Sequence, residues 1–186
     1  MIVFILPSAV IYTLFAMYPS LSGLYYSLTN WDGISPGYKL IGLDNFKEIF
    51  QDPLFYKSVK NSFVFALLVV VIKNAIALGF AILLDKKLKG TGFFRSVFFM
   101  PAILSAIIVA YTWVTIFNPV FGSWQTLFQA IGLDGIAKLD LLGTSSTALY
   151  TVAFVSIWQN MGYAMVIYLA GLQTIPGDLY ESAGMD

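Results

Sequence analysis

Four long apolar stretches, three of them free of any charged side chain, constrain this chain most. Residues 1–31 carry no charge, and 2–28 are mostly apolar. Residues 62–84 are apolar apart from Lys73 and Asn74. Residues 96–133 again lack charge, with the oily part running to Phe117. Residues 141–177 lack it too and are densest in apolar groups over 148–172. A helix needs about 20 apolar residues to cross a hydrocarbon core of ~30 Å, and each stretch is long enough. An open strand in lipid would leave its backbone unpaired, and no stretch shows the alternation of a barrel wall. The chain therefore reads as an all-α, polytopic membrane helix bundle. Its predicted spans are 2–28, 62–84, 96–117 and 148–172. Composition agrees: 11% of residues are charged, against roughly 25% in a soluble domain.

The first stretch lacks the basic start of a signal peptide and is too long for its usual apolar core. It opens inside oily sequence, and the C-terminal motif described below is cut short. Both features predict that the chain is a piece of a longer protein.

Lysine and arginine set the expected orientation. The segment DKKLKGTGFFR (85–95) holds Lys86, Lys87, Lys89 and Arg95, whereas 117–146 holds only Lys138. The positive-inside rule puts the short basic segment in the cytoplasm. Alternation then places 29–60 and 118–146 outside and both chain ends inside. Residues 29–60 carry Lys39, Lys47, Lys57 and Lys60 as well, but diluted and mixed with four acids.

The outer segments carry local signals. LDNFKEIFQDP predicts a short helix, with Asp44 as N-cap, Phe46, Ile49 and Phe50 at helical spacing, and Pro53 as a stop. Its apolar side belongs on the membrane interface or the bundle. Asn118-Pro119 predicts a turn. Tyr111 and Trp113 fit an interfacial aromatic belt. Small residues four apart, Ala75/Gly79, Ala77/Ala81 and Ala106/Ala110, would let helices approach closely.

Several chemistries are excluded. Cysteine and histidine are absent, which removes disulfides, thiol catalysis and the common zinc and haem ligand sets. Zero net charge offers no basic face to nucleic acid. GTGFFR lies between two apolar stretches with no strand before it, so it is no dinucleotide loop. No phosphate-cradling G-x-x-x-x-G-K-[ST] occurs, so the chain has no ATPase site of its own. No nucleophile–base pair or paired acids support an enzyme. The spans hold no Asp or Glu, which counts against a proton- or sodium-coupled carrier. A non-transporting structural membrane subunit is the other alternative.

Two features carry polar chemistry inside the spans. Lys73 lies near the middle of the second, where a charge costs about 2.5–3.5 kcal/mol on insertion scales. It therefore faces protein or water, either along a solute path, or by snorkelling or capping a backbone carbonyl at a helix contact. Ser156, Gln159, Asn160 and Tyr163 fall at i, i+3, i+4 and i+7 on one face of the fourth span. That face either lines a solute path or holds helices together. Amide and aromatic groups together suit a neutral sugar or polyol better than an ion.

The C-terminal segment YLAGLQTIPGDLYESAGMD resembles the permease subunits of ATP-binding-cassette (ABC) importers, in the branch that takes up sugars and glycerol phosphates. Their signature runs Glu-Ala-Ala, with an Asp three residues after the second Ala and then a Gly. Glu181, Ala183 and Asp186 match it, and Ser182 stands in place of the first Ala. GLDNFKEIFQDPLFYKSVKNS, KLKGTGFFRSVFFMPAILS and FNPVFG resemble family segments in the same order.

The resemblance implies a type I ABC importer transmembrane domain of about six spans, of which four are present. It implies a bacterial or archaeal cytoplasmic membrane and four kinds of neighbour. These are a second permease subunit, two cytoplasmic ATPase subunits, an extracytoplasmic solute-binding protein and membrane lipid. ATP would be bound by the partners, with no cofactor in this chain. Residues 175–186 would form a coupling segment that docks on an ATPase. There Ala183 and Gly184 permit close approach, with Ser182 between them and Glu181. Tyr180 and Met185 can fill an apolar pocket, and Glu181 and Asp186 can pair with basic groups or cap a helix.

Overall fold

Helices account for the secondary structure that a computed structural model describes, over residues 2–86 and 90–176. No strand forms among the described residues, only an isolated bridge between Thr29 and Leu40. The chain divides into two units, Met1–Lys60 and Asn61–Asp186.

The first unit opens with α1 (Ile2–Tyr12), a π turn (Thr13–Met17) and α2 (Tyr18–Tyr26). Together Phe4–Tyr26 form a 23-residue apolar helix long enough to span a membrane. The π turn has a local cause. Pro19 has no N–H to donate, and its ring would clash with the carbonyl four residues earlier, inside that turn. Ser20 Oγ donates to the Ala16 carbonyl in the same turn at 2.7 Å.

The following loop is held by Asp32. Its carboxylate accepts from the Ile34 and Ser35 amides and from Ser35 Oγ. The Ser35 hydroxyl and these amides hold its pKa down at about 2. Gly33 supplies the positive φ of 84° that the turn requires.

Helix α3 (Asp44–Gln51) follows. Its N-cap is Leu43, not Asp44. Asp44 lies in the first turn and pairs with Lys47 at 2.7 Å instead of capping an amide. Asn45 Nδ2 donates to the Ser27 and Thr29 carbonyls, both at 2.8 Å, and so fastens α3 to the end of α2. Asp52 is extended and ends α3, and Pro53 opens the next helix.

Helix α4 (Pro53–Asp85) has 33 residues, which makes it about 50 Å long. That exceeds the hydrocarbon thickness, so the helix begins well before the predicted apolar span at residue 62.

The second unit departs from the sequence expectation at its third apolar stretch. Residues 96–117 are not one straight helix. They belong to α5 (Thr91–Ile103) and α6 (Ala106–Ile116), bent by 95°. Pro101 removes a helical hydrogen bond just before the break. Leu104 and Ser105 are both extended, and Ser105 Oγ accepts from the Ile108 amide to start α6. The Asn118-Pro119 turn forms as predicted, with Asn118 Oδ1 accepting from the Val120 and Phe121 amides. Short helices α7 (Ser123–Ala130) and α8 (Asp134–Ala137) make a hairpin, closed by Trp124 Nε1 donating to the Ile136 carbonyl. Helix α9 (Ala148–Gln173) then runs 26 residues.

The second unit's core lies where α4, α5 and α9 meet. Ala77 and Ala81 are fully buried with Met165 and Leu169, and Phe80 stacks on Phe98 at 4.2 Å. Of the three small-residue pairs, only Ala77/Ala81 is buried; Ala75, Gly79, Ala106 and Ala110 are exposed. Large apolar side chains such as Phe63, Ile107 and Tyr111 are at least 70% exposed. Such a surface is wrong for water and right for lipid.

Candidate functional site: the polar face of α9 and the α5–α6 break

Helix α9 is apolar enough to cross a membrane but carries two faces of different use. Ala153, Ile157, Gly162, Met165 and Leu169 are buried. Gly162 is the tightest point: a Cβ there would lie 2.8 Å from Phe99 Cα and nearer still to the Phe98 carbonyl oxygen. α5 and α9 therefore pack backbone against backbone. Met165 follows within the same stripe, fully buried.

The four predicted polar residues divide in their use. Gln159 is half-buried, and its Nε2 donates to the Leu104 carbonyl at 3.3 Å. That carbonyl belongs to the break between α5 and α6, where helical partners are lost. Gln159 thus makes the helix contact that one of the two sequence readings required. Asn160 Nδ2 bonds within α9 to the Ser156 carbonyl at 2.9 Å, leaving Asn160 exposed. Tyr163 is 61% exposed. Ser156 is half-buried. Asn160 and Tyr163 thus present an amide and a phenol on the open side of an otherwise apolar helix.

Lys73 is half-buried on α4, one turn before Ala77 on the same stripe. It makes no hydrogen bond or ion pair among the described residues, and none joins it to the polar face of α9. Its neighbour Asn74 is the group that links the helices: Tyr168 Oη donates to Asn74 Oδ1 at 3.0 Å.

Beside this face, a recess of about 420 Å³ opens between α4 and α9, lined by Leu68, Ile72, Ile76, Phe154, Ile157 and Trp158 among others. Tyr150 is the one ionisable side chain in its otherwise apolar and aromatic lining, so it suits an acyl chain or a helix rather than a polar solute. Trp158 also meets Trp113 edge-on, and Trp113 stacks toward Phe117. Trp113 Nε1 is buried without a hydrogen-bond partner among the described residues.

Sequence reasoning missed Gly162 and the capping role of Gln159. Neither depends on neighbours in sequence: the first needs the crossing point of α5, and the second needs the break at Leu104. The predicted docking residues Tyr180, Glu181, Ser182, Ala183, Gly184, Met185 and Asp186 lie outside the described residues, as do Lys87 and Lys89. No group of three or more acidic side chains that could hold a metal ion occurs among the described residues.

Comparison with known proteins adds the family. No protein-family model matches the chain. A probable ABC transporter permease protein of Bacillus subtilis, YurN, is 39% identical over 185 residues, 98% of this chain and 63% of the relative. The diacetylchitobiose uptake system permease protein NgcF of Streptomyces coelicolor is 31% identical over 95% of this chain and 52% of its own length. A solved bacterial alginate ABC transporter, in complex with an alginate pentasaccharide-bound periplasmic protein, superposes with a TM-score of 0.81. That match covers 100% of this chain and 61% of the other at 24% identity, and it speaks to the fold alone. The chain thus spans less than two thirds of the length of these relatives. Its sequence is similar nearly end to end to the permease proteins of ABC transporters, and its helical fold is that of a segment of a solved ABC importer, so the chain is a multi-pass membrane segment.

Proposed function

We propose that this chain is part of the membrane subunit of an ATP-driven importer for a sugar or related polyol. In this reading it forms half of a translocation path, and a second permease subunit supplies the other half. An extracytoplasmic solute-binding protein delivers the solute, and two cytoplasmic ATPase subunits bind ATP. The observation that carries the reading is the nearly end-to-end match to ABC permeases, one of them named for diacetylchitobiose uptake.

The chain does no bond chemistry. Its task is mechanical, and the packing supports that. α9 runs 26 residues and is locked to α5 at Gly162 and to α4 through Tyr168–Asn74. A pull at its C-terminal end is therefore transmitted as a rigid tilt of several helices, the kind of movement that switches access between two sides. Asn160, Tyr163 and Ser156 would meet the solute with an amide, an aromatic ring and a hydroxyl. Gln159 would hold the wall beside them at the α5–α6 break. Lys73 would face the water of the path, which relieves the cost of a charge at that depth.

Residues 175–186 would be the handle, inside the cell together with the N-terminus, by the charge distribution of the segments. A carrier driven by protons or sodium would need a carboxylate or an ion site within a span; an enzyme would need a catalytic pair. The test is on the handle. Glu181→Lys and Asp186→Lys in the full-length protein should reduce co-purification with the ATPase while leaving the membrane fold intact by circular dichroism. Unchanged co-purification would count against docking through this segment.

A further inference from the structure

We propose that α3 is a membrane-surface helix, with Phe46, Ile49 and Phe50 resting at the boundary between lipid headgroups and acyl chains. The inference needs only that the chain is a multi-pass membrane protein and does not depend on what it transports.

The sequence of α3 separates its chemistry cleanly. Asp44, Lys47, Glu48 and Gln51 fall at i, i+3, i+4 and i+7 on one side, and Phe46, Ile49 and Phe50 on the other. The apolar side is only partly spent on packing: Phe50 meets Phe55 edge-on at 5.8 Å, yet Phe46, Ile49 and Phe50 stay 38%, 43% and 59% exposed. A solvated loop helix has no use for three large apolar groups in water, whereas an interfacial helix is built in this way.

The position of α3 selects lipid as the occupant. Asn45 ties it to the Ser27 and Thr29 carbonyls, just past the end of the Phe4–Tyr26 span. At its other end only Asp52 separates it from α4, and Tyr56 Oη donates back to the Phe50 carbonyl. The helix is thus anchored at the level where the first span leaves the bilayer. Rings gather at the same end: Trp31 lies 4.3 Å from Tyr26, and Tyr38 meets Tyr25 and Tyr26 edge-on. Such a cluster is what the membrane–water interface favours. α3 then acts as a strut that fixes the depth of the first span.

The chain contains no cysteine, so a single introduced thiol can carry a nitroxide label. The full-length protein, in a cysteine-free background and in phosphatidylcholine nanodiscs, would be labelled at Phe50→Cys and separately at Glu48→Cys. Phe46→Cys serves as a second site on the apolar side should the first variant fold poorly. The apolar-side label should collide several-fold more with oxygen than with a water-soluble nickel chelate, at a depth of about 5–10 Å into the headgroup–acyl boundary. The Glu48 label should show the reverse. Equal access of the nickel chelate to both sides would overturn the proposal in favour of a solvated helix. An apolar-side label shielded from both probes would overturn it in favour of cover by protein.

Discussion

Gly162 of α9 lies so close to the backbone of Phe98 in α5 that no side chain fits between them. This contact, with the burial of Met165 beside it, fixes how α5 and α9 cross.

Gly162→Ala should therefore lower the melting temperature of the purified protein in detergent, by the equivalent of about 1–3 kcal/mol for forced overpacking. Gly171 is the control on the same helix, because an added Cβ there meets nothing within 4 Å. Gly171→Ala should be neutral or stabilising, by roughly 0.5–1 kcal/mol. Equal effects of the two changes would show that the crossing is looser than drawn.

Gln159→Leu removes the donor that meets the Leu104 carbonyl. The expected cost is about 0.6–1.7 kcal/mol, the range of interhelical hydrogen bonds in membranes. Thermal unfolding of Gln159→Leu and Gln159→Glu should separate the lost bond from the altered shape, with both less stable than the parent. An unchanged melting temperature in both would mean that the bent pair is held without Gln159.

Asn160→Leu tests the open side of α9. Asn160 bonds only within its own helix, so its loss should leave assembly intact while reducing solute uptake. The measurement is uptake by cells matched for membrane content of the protein. Normal uptake would leave the polar face with a purely structural use.

Asp32 makes the first loop acid-sensitive in a defined window. Its carboxyl is held at about 2, against 3.8 ordinarily, by hydrogen bonds to Ser35 and Ile34. A lowered folded-state pKa means that the stabilisation is complete above 3.8 and fades as pH falls to about 2. Fluorescence of Trp31, which donates to the Ser35 carbonyl, should follow that loss. In Asp32→Asn the signal should show no step across the same window.

How much of this could be read from sequence depends on how local each cause is. Spans 2–28 and 148–172 are set by their own composition, and α1–α2 and α9 fall on them. α3 was legible from the spacing of Phe46, Ile49 and Phe50, although its cap was misassigned by one residue. Asp44 lies in the first turn and satisfies itself with Lys47, an alternative that spacing cannot distinguish. The bend at Leu104–Ser105 was missed because Pro101 is tolerated within many membrane helices, and only the packing shows where it breaks one. Ala77/Ala81 and Ala106/Ala110 look alike in sequence. Only the first meets a partner, because burial belongs to the neighbour as much as to the helix. The same holds for Gly162, whose value comes from Phe98, 64 positions earlier in the chain.

The central claim is that the chain is a passive membrane element driven from outside by nucleotide. The most direct test reconstitutes the full-length protein with its second permease and ATPase subunits in liposomes and follows radiolabelled sugar entering from the solute-binding protein. Uptake that requires ATP inside the ATPase-bearing compartment, and that persists when proton and sodium gradients are abolished, is the result predicted. Sugar uptake by the protein without ATPase subunits, driven by an ion gradient alone, would contradict it.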